Sequence, residues 1–78
     1  MSDALDKELH DLKKAERDIV DGEERVTRQI LLLQELRRDD HDTKDAGAIL
    51  ATMQKTLELF RDHRELILAE IDRLQAEA

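Results

Sequence analysis

The chain has 78 residues, 42% charged and 40% hydrophobic, with two Gly, no Pro and Phe60 as its one aromatic. A chain this short makes one small domain at most and cannot enclose a deep catalytic cleft as a monomer. The scarcity of breakers, aromatics and turn residues excludes a β-sandwich or barrel, and the regular apolar spacing excludes disorder.

Thirteen basic against twenty acidic residues give a formal charge of −7. A net acidic surface repels phosphate backbones, so no nucleic-acid partner is expected. Absence of cysteine removes disulfide, thiolate-zinc and thiol chemistry. The first residues lack a basic and then apolar leader. The longest strongly apolar run, Ile30 to Leu33, falls far short of the roughly 18 residues that span a bilayer. The expectation is a cytoplasmic protein with no membrane partner.

In chain order, the first element is a helix over about residues 3–38. Ser2 is its candidate N-cap, with Asp3 in the first turn where acids suit the helix dipole. Leu5, Leu12, Ile19, Val26 and Leu33 recur every seven residues. Leu9 and Ile30 follow Leu5 and Val26 by four and add a second row that also holds Glu16 and Glu23. Ala15 and Gly22 lie beside Ile19 and invite a close helix approach. Arg37 and Arg38 suit the C-terminal end of the dipole.

A polar turn follows over about residues 39–43. Asp40 or His41 is expected to take the left-handed position after the helix, and Asp42 to cap the next one, with Thr43 as the competing cap. The second helix covers about residues 44–76. Its seam is Ala46, Leu50, Met53, Leu57, Phe60, Arg64, Ile67, Ile71, Leu74 and Ala78, in unbroken steps of four and three with only Arg64 charged.

Two helices of roughly 50 Å joined by a short turn should lie antiparallel. In that register Leu33 faces Leu50, Ile30 faces Met53, Val26 faces Leu57, Leu12 faces Ile71 and Leu9 faces Leu74. Ile19 falls opposite Arg64, with Glu16 and Glu23 one layer to either side. Arg64 then either bridges to one of these carboxylates and fixes the register, or lays its stem on apolar surface with its head in water.

Apolar residues also lie outside the seam. Leu32, Leu36 and Ile49 are expected to cluster near the turn, and Leu59 and Leu66 form a second line on helix two. A stripe this wide implies more neighbours than one helix supplies. The fold expected is an all-α antiparallel hairpin that dimerises into a four-helix bundle, with another protein as the alternative cover for the same surface.

No constellation for catalysis can be assembled. His10, His41 and His63 are scattered, and neither His10 nor His63 has the Glu three residues earlier that bundle metal centres use. The acids Asp39, Asp40, Asp42 and Asp45 lack the spacing and central Gly of a calcium loop. No enzyme activity, cofactor or metal is expected. A metal-binding bundle built on Glu16 and Glu23, or a weak nucleic-acid-binding coiled coil using Lys13, Lys14, Arg17, Arg25 and Arg28, is the runner-up.

Val20, Gly22, Glu23, Arg25, Val26 and Gln29, then His41-Asp42-Thr43, then Ala46, Leu50, Leu57, His63 and Arg64 form a pattern spread over about residues 9–74. It resembles that of a group of short alphaproteobacterial proteins with no assigned activity, Val-x-Gly-Glu-x-Arg-Ile followed by Gly-His-Asp-Thr. Asp40 stands where that group carries Gly. The resemblance implies a helical hairpin in a bacterial cytosol and supplies no catalytic residue; the function expected from the helical faces themselves is a non-enzymatic protein–protein interaction or scaffold role.

Overall fold

A computed structural model describes residues 3–77. It consists of α1 (Asp3–Arg38) and α2 (Lys44–Ala76), joined by a five-residue connection, and no strand occurs among the described residues. The helices pack against each other along a rod with extents of 60 × 14 × 13 Å. The expected N-cap Ser2 and the last seam residue Ala78 lie outside the described residues.

The turn stops α1 by a double hydrogen bond. Asp40 adopts φ 62°, the left-handed conformation. The His41 N–H then donates to the Leu36 carbonyl at 2.8 Å and the Asp40 N–H to the Arg37 carbonyl at 3.2 Å. These are the two bonds of a Schellman motif, which satisfies helix-end carbonyls that would otherwise lack donors. Of the two candidates for the left-handed position, Asp40 holds it.

Helix α2 starts at Lys44 with Thr43 in the cap position: the Thr43 carbonyl accepts the Gly47 N–H at 2.9 Å, but its side chain makes no capping hydrogen bond. Asp42 does that job one residue earlier, its Oδ1 accepting the Lys44 N–H at 2.9 Å. Position and capping oxygen are therefore divided between neighbours.

On α2 the expected seam is the inward face; Ala46, Leu57, Ile67 and Ile71 are buried, with Leu50, Met53, Phe60, Arg64 and Leu74 half-buried between them. On α1 the row Leu5, Leu12, Ile19, Val26 and Leu33 also faces inward. The second row differs from expectation. It is Glu8, Ala15, Gly22, Gln29 and Leu36, one position before the row of Leu9, Glu16, Glu23 and Ile30. Leu9 stays 42% exposed and Ile30 36%, so neither occupies the central packing position opposite Leu74 or Met53.

Desolvation decides between the two rows. Turning α1 to bury what remains exposed of Leu9 and Ile30 gains on the order of 1 kcal/mol for each side chain. The same turn drives Glu16 and Glu23 into the interface, at a cost of several kcal/mol per carboxylate. The observed row places Ala15 and Gly22 at the contact instead, and these small residues let the helices close.

Replacing Asp40 with Gly removes the steric cost of a left-handed non-glycine residue. Asp40→Gly is expected to raise the unfolding free energy by about 0.5–1 kcal/mol in urea titration, net of the added freedom of the unfolded chain. A loss of stability would contradict the role given to this φ.

Candidate interaction surface

The interface is thin. Ala15, Leu33, Ala46, Leu57, Ile67 and Ile71 are its buried hydrophobic residues, and no described large side chain falls below 2% exposure. Ala15, Ile67 and Ile71 pack together near the open end, with Leu5 and Leu12 against them. That cluster includes the expected neighbours Leu12 and Ile71.

At Gly22 the helices stand close together. A Cβ built there would lie 3.1 Å from Leu57 Cδ1 and 3.8 Å from Phe60 Cδ2. The helix that approaches Gly22 is thus α2 of the same chain. Beside it opens a shallow groove of about 270 Å³, with Gly22, Met53, Leu57 and Phe60 in its lining and Thr52 and Thr56 on the α2 side.

Gln29 is the buried polar residue that the periodicity did not single out. Its Nε2 donates to the Ala46 carbonyl at 2.9 Å, tying the second row of α1 to the first turn of α2. The signal was present in the spacing from Ala15 and Gly22, but a glutamine does not stand out as a core residue in a charge-rich helix. Inside a protein such a bond is costly to leave half-made.

The layers around Arg64, Glu16 and Glu23 hold two ion pairs between the helices. Arg64 Nη2 lies 3.5 Å from Glu16 Oε2, and its Nη1 donates to Glu65 Oε1 at 3.3 Å. Glu23 is held by Arg61 at 3.3 Å rather than by Arg64. The Arg64 side chain is 34% exposed. Its stem lies at the seam while its guanidinium reaches solvent, so pairing and snorkelling occur together. Pairs this exposed contribute about 0–1 kcal/mol each.

The remaining pairs sit along the solvent faces. Lys7 binds Asp11, Lys14 binds Asp18, and Arg73 clamps Glu70 and Glu77. Lys7 thus pairs within α1 four residues on, whereas Arg61 reaches across to Glu23 of the other helix. The hydrogen bond from Lys7 lowers the Asp11 pKa, and that from Arg73 lowers the Glu70 pKa. Whatever stability these depressed carboxylates add is present above the ordinary carboxylate range and fades as pH falls through their lowered values.

Leu36 faces inward with the second row of α1 and is half-buried, apart from the exposed cluster expected at the turn. Leu32 and Ile49 remain exposed at 43% and 49%. Leu59 and Leu66 are still more open, at 60% and 71%. Among the described residues no group of three His, Asp or Glu could hold a metal ion, and no helix is long and apolar enough to cross a membrane. No protein-family model matches the chain, and neither does any curated protein or solved structure.

Two substitutions test this geometry. Gln29→Glu sets a carboxylate against the Ala46 carbonyl and should lose about 1–3 kcal/mol relative to the parent at pH 7. The new acid has a raised pKa in the folded state, so the deficit should shrink towards pH 4, as paired urea titrations at both pH values would record. Arg64→Leu replaces a screened pair with apolar burial and should raise the unfolding free energy by about 1 kcal/mol; a fall of that size would mean that the Glu16 pair outweighs its desolvation.

Proposed function

We propose that the protein is a non-enzymatic interaction module, a scaffold or small regulator acting through its helical faces, and that it self-associates as a homodimer closing into a four-helix bundle. The observation that carries this reading is surface area. A compact monomer of 9.1 kDa exposes on the order of 4,900 Å². The hairpin exposes 6126 Å². Its radius of gyration is 17.8 Å, where a compact chain of this length has about 11.5 Å. Exposed leucines and isoleucines account for part of the excess, and burying them against further helices is the ordinary remedy for a pair of amphipathic helices.

Both carboxylates invoked for a bundle metal centre are engaged by arginines, Glu16 by Arg64 and Glu23 by Arg61. The basic residues of α1 alternate with acids and include the Lys7–Asp11 and Lys14–Asp18 pairs, which weakens the case for phosphate recognition. A cytosolic bacterial setting, implied by the sequence resemblance, belongs to the same proposal.

Sedimentation equilibrium across micromolar concentrations should give about twice the chain mass, with reversible dissociation on dilution. A chain that stays monomeric at every concentration would overturn the homodimer.

A further inference from the structure

Helix α2 carries a second seam. Ile49, Thr52, Thr56, Leu59, His63 and Leu66 follow one another in steps of three, four, three, four and three. None of the six is Asp, Glu, Lys or Arg, and all six are exposed in the hairpin. This is the spacing of a helix-packing stripe, and it lies on a flank of the stripe that α1 covers. The Thr52 hydroxyl donates to the Ala48 carbonyl at 3.2 Å, so covering it strands no donor.

We infer that this seam docks the same seam of a second copy, with the two α2 helices antiparallel about a twofold axis between Thr56 and Leu59. The inference rests on the self-association reading and adds its surface and register. A twofold interface must be self-complementary. With the axis there, Ile49 meets the second copy's Leu66, Thr52 its His63 and Thr56 its Leu59. The large apolar residues thus close both ends of the seam. Each Leu59 falls at the layer of Thr56, which lines the shallow groove beside Gly22.

Charge fits the same register. Lys55 and Asp62 share the solvent-side row flanking the seam. The antiparallel arrangement sets each Lys55 beside the second copy's Asp62, twice by symmetry. The row continues with Ala48 and Ala69, which meet each other. Net charge is also polarised along the hairpin. Residues 26–57 balance Arg28, Arg37, Arg38, Lys44 and Lys55 against Glu35, Asp39, Asp40, Asp42 and Asp45, so the whole of the −7 resides towards the open end. Antiparallel docking lays each acidic half along the neutral half of the other copy. A parallel dimer would set acid against acid and is disfavoured.

The test combines register with affinity, using the full chain. The protein has no cysteine, so Ile49→Cys and Leu66→Cys can be made singly and mixed under mild oxidation. A disulfide-linked dimer should form in the mixture and hardly at all in either variant alone, because identical positions then lie about 25 Å apart. In sedimentation, Lys55→Asp or Asp62→Lys alone should weaken association about tenfold. The double variant Lys55→Asp/Asp62→Lys should return to within about threefold of the parent. A parent dimer without the mixed cross-link and without that recovery overturns this interface while leaving self-association standing. A parent that never dimerises overturns both.

Discussion

The hairpin depends on how closely α2 can approach the middle of α1. Ala15 and Gly22 supply that approach, with Leu57 and Phe60 filling the space where a side chain on Gly22 would stand. A glycine inside a helix costs about 1 kcal/mol relative to alanine. That cost is offset by the contact it permits, since dispersion and apolar burial fall away quickly once helix surfaces separate. Gln29 continues the same row towards the turn and adds a directional tie, its amide reaching the Ala46 carbonyl.

The same closeness limits what the hairpin can hide. Small residues at the contact bring the backbones together but bury little area of their own. The core is accordingly a single layer of partly covered side chains, with none of the large ones fully enclosed among the described residues. Charged groups respond by moving to the edges. Arg64 keeps its stem at the seam and its guanidinium at the surface, and Arg61 and Glu23 close over the same flank. Among the exposed apolar side chains, Leu9 and Ile30 border the hairpin seam, whereas Ile49, Leu59 and Leu66 belong to a stripe that the hairpin does not use.

The chain ends its first helix against a steric preference. Asp40 is left-handed because two backbone hydrogen bonds close around it, and the following Asp42 satisfies the start of α2 with its carboxylate. Turn chemistry of this kind is local, so it can be read from a run of aspartates. Which aspartate does what depends on a rotation of one residue, which composition does not specify.

Two antiparallel helices, their limits and the inward face of α2 were legible from the residues alone, because a stripe of Leu50, Leu57, Ile67 and Ile71 repeats over enough turns to have one solution. The neighbourhood of Arg64 with Glu16 and Glu23 was also legible from spacing, but which carboxylate it meets, and whether its head pairs or reaches water, was decided by the structure. The second row of α1 was decided only in three dimensions. Leu9 and Ile30 argue for one row and Ala15 and Gly22 for its neighbour, and the two differ by a rotation of about 100° per residue position on the helix. Sequence periodicity weighs side chains by hydrophobicity. Packing also weighs the carboxylates of Glu16 and Glu23, which stay hydrated only when the small-residue row faces inward.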